Sequence, residues 1–568
     1  LNQEILPGLV LVLVVGLLAQ WLAWRMRLPS ILLLLTFGFL AGPVFGVLHP
    51  DELLGGLLLP LVSLSVGVIL FEGGLSLRFR ELREIGRSLI QLVTVGILVA
   101  WVLGTLAAKS FLGLSLPLAV LLGAILVVTG PTVVGPLLRH VRPRGSVGAL
   151  VKWEGILNDP VGAILAMLVF EAIVAGGWEA GSRLALIGVF RAVAIGAVLG
   201  VGGAAILILL MRSYKLPEYL ENPFTLMMVL LVFAGADAAQ KESGLLATTV
   251  MGILLANQRW VNVRHIVEFK ENLRVLLISS LFILLAARID LAVLLAPGWE
   301  VLLFLAALVL VVRPASVVIG TVGAGLGWRD KVFLSSMAPR GIVAAAISAV
   351  FALYLEEIGY EGAEILVPVV FLVIVGTVLI YGLTAGLVAR RLGLGGVRSQ
   401  GVLLVGAHSW ARRVAEILQE NGVQVHLIDS NRDNVRSARL SGLPILHANA
   451  LAEDLPDRLP MEDLGKLIAL TANHEVNSLA ALHFADEFGK QEIYQLAHEE
   501  EEGEMGVPAP LRGRVLFDTA LSYEVLTRRF RQGQTLKITS LTDKFSYEQF
   551  REVYGDTAVP LFLLEGGR

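Results

Sequence analysis

From Ile5 to about Arg390 the chain alternates apolar runs of about 20 residues with short polar loops, each run long enough to cross a bilayer as a helix. Thirteen such spans are centred near residues 15, 38, 66, 97, 125, 162, 198, 231, 250, 279, 310, 343 and 377, with a very tight turn expected at Gln240 to Ser243 between the eighth and ninth. From Gly401 onward short Val/Ile/Leu runs alternate with charged helices, the pattern of a water-soluble α/β domain. The expected division is a polytopic helical membrane domain over residues 1–391, a linker over 392–400, a Rossmann-like α/β domain over 401–498 and a small mixed α/β extension over 499–568. The extension opens on the acidic stretch Glu499 to Glu504, read as a solvated hinge.

Two spans are interrupted. Thr129-Gly130-Pro131-Thr132 breaks the fifth and Pro339-Arg340-Gly341 the twelfth, because proline has no amide hydrogen to give and glycine disfavours the helix. Lysine and arginine gather in the loops after odd-numbered spans, for example Arg78, Arg80, Arg83 and Arg87. The loops after even-numbered spans hold only Lys109, Arg183, Lys241 and Arg288. That bias places the N-terminus outside and the soluble domain in the cytoplasm of a bacterial-type inner membrane. The two breaks then occupy corresponding places in halves of opposite topology, the arrangement in which a transporter builds its substrate site.

Charge inside the spans sharpens this. In Glu154-Gly155-Ile156-Leu157-Asn158-Asp159, Asp159 lies roughly 16 Å into the sixth span, near the middle of a hydrocarbon core about 30 Å thick. A carboxylate persists at that depth mainly beside a partner or a water-filled cavity. Asp159 is therefore the expected seat of a proton or an alkali ion, with Asn158, Thr129, Thr132 and carbonyls of the break completing an oxygen shell. Arg340 needs a counter-charge, and Glu154, one turn from Asn158 on its helix face, is the expected partner. One acid shared by two competing ligands favours electroneutral 1:1 exchange of Na⁺ or K⁺ for H⁺. Asp237, Glu72 and Arg313 are further polar groups in or near spans, read as structural or funnel-lining.

Composition narrows the class. The chain is 56% hydrophobic and 16% charged, too apolar for one soluble domain, and it has no cysteine, so disulfide and thiolate chemistry are excluded. No nucleophile, base or metal constellation suggests an enzyme, and no nucleic-acid partner is expected.

The segment Glu154 to Asp159 resembles the Asn-Asp signature of cation:proton antiporters of the NhaP-like sodium/proton exchanger branch. Pro339-Arg340-Gly341-Ile342-Val343, Phe71-Glu72-Gly73-Gly74-Leu75 and Glu242-Ser243-Gly244-Leu245-Leu246-Ala247 are similar to other segments of that family. The resemblance covers roughly residues 5 to 391 and implies the antiporter fold, a homodimer, a mobile ion-carrying core and elevator-like alternating access. It gives Asp159 the role of carrier, Asn158 that of its neighbour, and Glu154 with Arg340 that of a structural pair. Gly130 departs from the pattern, since many members carry aspartate there.

In the soluble part, Gly401 to Gly406 reads as a strand entering a turn, followed by a helix and a second strand ending at Asp429, where a ribose hydroxyl would be read. Of the glycine fingerprint only Gly406 remains, with His408 where a pyrophosphate would approach. Residues 401–498 resemble the TrkA-N (RCK-type) regulatory domains of potassium channels and transporters. That resemblance implies an adenine nucleotide or NAD(H) near Gly406, His408, Asp429 and Asn449, as a regulator rather than a required cofactor. The leading expectation is a Na⁺/H⁺ antiporter. A K⁺/H⁺ antiporter or nucleotide-gated K⁺ efflux system is the alternative in transport, and a channel or membrane sensor the alternative of another class.

Overall fold

The computed structural model describes residues 2–563 except 27, 142, 144, 176–177, 214, 262, 290–297, 395–399, 453–454, 498–507, 509–510, 518–519, 543–544 and 556–557. The acidic stretch Glu499 to Glu504 and most of the linker lie outside the described residues. The chain forms two units, residues 1–396 and 397–568.

Among the described residues the first unit is built on helices, as a chain in lipid must be if every backbone amide is to find a partner within its own segment. Its helices are α1 (Asn2–Met26), α2 (Ser30–Phe39), α3 (Leu58–Leu75), α4 (Leu82–Leu112), α5 (Leu116–Ile125), α6 (Pro131–Val141), α7 (Ser146–Val174) and α8 (Trp178–Arg212). They continue as α9 (Glu218–Ala239), α10 (Ser243–Asn257), α11 (Arg264–Ala287), α12 (Glu300–Gly320), α13 (Trp328–Ser335), α14 (Ile342–Glu357) and α15 (Leu366–Arg391). All thirteen expected centres fall in helical segments, the fifth span being α5 with α6 and the twelfth α13 with α14. Leu98, Leu209 and Leu310 point outward and exposed, as lipid-facing side chains do. The turn from α9 to α10 is as tight as its sequence suggests: Glu242 takes a left-handed φ of 63°, and its N–H donates to Asp237 Oδ1 at 2.8 Å.

Both interrupted spans are unwound where expected, from Leu126 to Gly130 and from Ser336 to Gly341. The unwound stretches cross in contact. Gly130 N–H donates to Pro339 O at 3.1 Å, and a Cβ on Gly130 would stand 2.5 Å from Gly341 Cα. Only glycine at both positions lets the two backbones approach this closely.

The second unit is built on a parallel sheet of β1 (Gly401–Val405), β2 (Val425–Asp429), β3 (Ile445–His447), β4 (Leu464–Ala469), β5 (Ile493–Gln495) and β6 (Arg514–Val515), in the order β3-β2-β1-β4-β5-β6. The near-continuous apolar strands follow from burial on both faces. Helices α16 (Ser409–Glu420), α17 (Arg432–Leu440), α18 (His474–His483) and α19 (Tyr523–Arg531) accompany the sheet.

The boundary expected at residue 498 does not divide this unit. β6 extends the sheet beyond β5, and Leu516, Leu521 and Leu526 join the same apolar cluster as Trp410 and Val414. A strand of two residues pairs only because β5 offers it an edge, so the extension's place is set by tertiary contact.

Candidate functional site

Asp159 stands in the middle of α7, thirteen residues from Ser146 and fifteen from Val174. The next residue, Pro160, has no N–H for the carbonyl of Ile156, so the regular helix bond is missing in this turn. Gly155, Asn158 with Asp159, and Gly162 recur at helical spacing on one face of α7. That face packs on the broken fifth span: a Cβ on Gly155 would lie 3.3 Å from Val134, and one on Gly162 would lie 2.6 Å from Val128. The two glycines thus draw α7 against α6 and the unwound stretch, and the polar pair between them lies on the same face, toward the segment that carries Thr129 and Thr132.

The four residues are buried, Asp159 at 0% exposure. Seven fully buried side-chain oxygens lack a hydrogen-bond partner among the described residues, and five of them are Asp159 Oδ1 and Oδ2, Asn158 Oδ1, Thr129 Oγ1 and Thr132 Oγ1. Native structures rarely leave buried polar atoms unpaired, each one costing about 1–3 kcal/mol and a charged one more. Such a concentration of oxygens fits a ligand that needs acceptors, either a proton on the carboxylate or a hard cation taking oxygen donors.

The pairing of Glu154 with Arg340 is overturned. Glu154 accepts two parallel hydrogen bonds from Arg313, Nη1 to Oε1 at 2.5 Å and Nη2 to Oε2 at 2.9 Å. Arg313 also donates from Nε to Leu334 O at 3.1 Å, so the bidentate pair ties α7 to α12 and to the end of α13. Arg340 takes a different task. Its Nη1 donates to Val127 O at 3.2 Å and Val128 O at 3.1 Å, carbonyls released where α5 unwinds, and its backbone N–H donates to Thr377 Oγ1 at 3.1 Å. The reason is local: Arg340 lies in the crossing itself, where the unwound fifth span already offers negative carbonyl ends. Among the other polar groups, Glu72 accepts from Arg274 Nη1 at 2.6 Å and Asp237 caps the α9–α10 turn.

A cavity of about 310 Å³ opens beside that turn, lined by Asp237, Glu242, Phe170, Tyr354 and, at its α14 side, Ile347 and Val343. Val343 is two residues from Gly341. Asp159 is not among the lining residues, and at 0% exposure its carboxylate is occluded in this conformation.

In the second unit the residues expected to meet a nucleotide lie at the carboxyl ends of the strands, beside the switch between β1 and β4. Asp429 is already engaged: Oδ2 accepts from Ala407 N–H and Asn434 Nδ2, both at 2.8 Å, and Oδ1 accepts from Asn431 N–H at 2.8 Å. His408 caps α16, its Nδ1 accepting from Ala411 N–H at 3.4 Å while Nε2 donates to Leu470 O at 2.8 Å. Its ring packs 4.3 Å from Trp410 and 5.0 Å from Tyr523 of α19. Burial holds its basicity below that of an ordinary imidazole, against the pull of the Leu470 carbonyl and Asp429. Asn449 Oδ1 accepts from Leu451 N–H at 3.0 Å, closing its own turn. A pyrophosphate seated on this turn would need the place His408 fills, and a ribose would compete with the loop for Asp429, so these residues do not fit a dinucleotide in the conformation described.

Comparison with known proteins agrees with this architecture. Residues 9–391 match the transmembrane sodium/hydrogen exchanger family and residues 402–506 the TrkA-N domain. The chain is 25% identical to Na(+)/H(+) antiporter 1 of Methanocaldococcus jannaschii over 60% of its own length and 81% of that protein's. It is 26% identical to the K(+)/H(+) antiporter NhaP2 of Shewanella oneidensis over 69% of its own length and 67% of that protein's. In fold it is similar to the sodium proton antiporter MjNhaP1 from M. jannaschii at pH 8, with a TM-score of 0.60 at 22% identity, covering 68% of this chain and 98% of that one. With its crossed broken helices and buried aspartate, the chain belongs to the sodium/hydrogen exchanger family of membrane cation/proton antiporters, here joined to a TrkA-N domain.

Proposed function

We propose that the chain exchanges cytoplasmic Na⁺ for H⁺ at Asp159, one carboxylate serving both ions in turn. The observation that carries this is the group of five unpaired, buried oxygens on Asp159, Asn158, Thr129 and Thr132. A proton on Asp159 removes the charge, and a partly dehydrated alkali ion balances it, so each excludes the other. Of the other acids in the spans, Glu154 is neutralised by Arg313 and Glu72 by Arg274, and Gly130 supplies no second carboxylate in the crossing. A single free acid supports electroneutral 1:1 exchange.

Occlusion of Asp159 implies that the site opens by movement of the elements that carry it. The crossing of α5–α6 with α13–α14, bound to α7 through Glu154 and Arg313, forms a connected body suited to an elevator-like step. The basic loops after odd-numbered spans favour a cytoplasmic soluble unit, and the family favours a homodimer. K⁺ is the alternative cargo, because relatives bear both names and the oxygens of this site serve either ion. The soluble unit serves as a regulator, and His408 and Asp429, turned to the protein itself, offer a dinucleotide no seat in this conformation.

The test is purified protein in liposomes with an entrapped pH dye, challenged in turn with Na⁺, K⁺ and Li⁺. Cation-driven pH change in the native chain, lost in Asp159→Asn, is the expected result. Equal rates in both would remove Asp159 from the mechanism.

A further inference from the structure

The soluble unit carries a second polar feature, apart from the glycine turn. Arg432, Arg436 and Arg439 of α17 line one open groove of about 510 Å³ together with His447 at the end of β3, and Val435 lies beneath them. Spacings of four and three place the three arginines within about 60° of one another around the helix and along about 10 Å of its length. All three are exposed, and no ion pair is found for any of them among the described residues. Asp433, the acid on the same helix, is not among the groove residues, and Asp429 is occupied by the loop. His447 donates from Nε2 to Ser430 O at 3.0 Å, which fixes the ring at the rim. The polar side chains of the wall are thus all cationic or imidazole, beside the unpaired edge of β3, the outermost strand.

Guanidinium groups recognise planar arrays of oxygen by paired hydrogen bonds, and phosphate is the anion that most often supplies them. A row of three without carboxylate partners costs mutual repulsion unless an anion sits among them. The groove lies in the size range of small-ligand sites. We propose that Arg432, Arg436, Arg439 and His447 form a binding site for a phosphate-bearing anion. Leu440, 82% exposed at the end of the row, and the short stretch from Arg391 to Gly401 that joins this unit to α15 leave two sources of that chemistry, a soluble polyphosphate or the headgroups of an anionic lipid.

The chain has no cysteine, so Leu440→Cys gives one labelling position for a polarity-sensitive dye beside the groove in the full-length protein. In detergent, sodium tripolyphosphate is titrated against sodium chloride at matched ionic strength. In bilayers, phosphatidylcholine is compared with phosphatidylcholine containing phosphatidylglycerol. A saturable response to tripolyphosphate assigns a free anion, and a response confined to phosphatidylglycerol bilayers assigns the headgroup. Either should weaken about tenfold or more for each arginine replaced in Arg432→Gln, Arg436→Gln and Arg439→Gln. Because these side chains are exposed, the melting temperature should stay unchanged. Absence of both responses, or a response equally strong in the triple glutamine chain or with sodium chloride alone, overturns the proposal.

Discussion

Two aspartates, one in each unit, stand in opposite circumstances. Asp159 is wholly buried and both of its oxygens lack a partner, whereas Asp429 sits at a strand end and accepts three hydrogen bonds, from the Ala407 N–H of the neighbouring turn, the Asn431 N–H of its own loop and the Asn434 side chain of α17. Sequence gives each an equally plausible ligand, an alkali ion or a ribose. Geometry separates them, because an acid satisfied by the protein has little left for a ligand, while an unsatisfied one needs a partner from outside the protein.

The widest test of that contrast is neutralisation of each acid. Asp159→Asn should abolish cation-driven proton movement yet leave thermal stability in cation-free buffer unchanged or raised, since it removes a charge that the protein does not compensate. Asp429→Asn should do the reverse, keeping cation-driven proton movement while lowering the stability of the soluble unit by about 1–3 kcal/mol. Calorimetry on both variants decides it, and a loss of stability in Asp159→Asn would break the comparison.

Next in size is the buried pair. Glu154→Gln or Arg313→Gln leaves a charge alone in the membrane domain and should cost about 3–5 kcal/mol in a detergent melt. The exchange Glu154→Arg with Arg313→Glu should recover part of that loss. Arg340→Gln should cost less than either, because carbonyl groups rather than a carboxylate lose their partner.

Gly341→Ala probes the crossing on which the membrane site depends. Its Cβ would fall on the Gly130 backbone, so overpacking of about 1–3 kcal/mol is expected, with slowed transport even where cation affinity persists. Affinity and maximal rate measured in liposomes separate the two effects.

The smallest effect belongs to His408. Burial depresses its pKa in the folded unit, so below the ordinary imidazole value of about 6.5 the unfolded chain binds more protons than the folded one. Stability from this group is fully present above that pH and declines as pH falls through the window beneath it. Melting temperatures at stepped pH should show the decline, and His408→Gln should flatten it.

Much of the candidate membrane site is legible because its signals are local. Polar residues interrupting an apolar run, and Gly-Pro pairs inside a span, announce themselves by contrast with their neighbours, so Asp159, Asn158, Thr129, Thr132 and both unwound stretches could be named from pattern. The partner of Glu154 could not. Arg313 and Arg340 both lie deep, and the choice between them rests on which helices touch, information that periodicity does not contain. Arg340 carries a clue in its own break, where released carbonyls compete for it. In the soluble unit Asp429 was placed correctly at a strand end, but its occupancy depends on the path of the loop at Ala407 and Asn431. Likewise an imidazole capping α16 cannot be told in sequence from a spoiled glycine fingerprint.

The sixth strand has a practical consequence. The match to TrkA-N ends at residue 506, and Arg514–Val515 lies beyond it. Cutting the gene at the family boundary would expose the backbone amides and carbonyls along one side of Ile493–Gln495 and uncover Trp410 where Phe530 and Tyr523 now rest. A protein shortened there would be expected to self-associate through that raw margin, and clumping after such trimming would say nothing about how the intact molecule assembles.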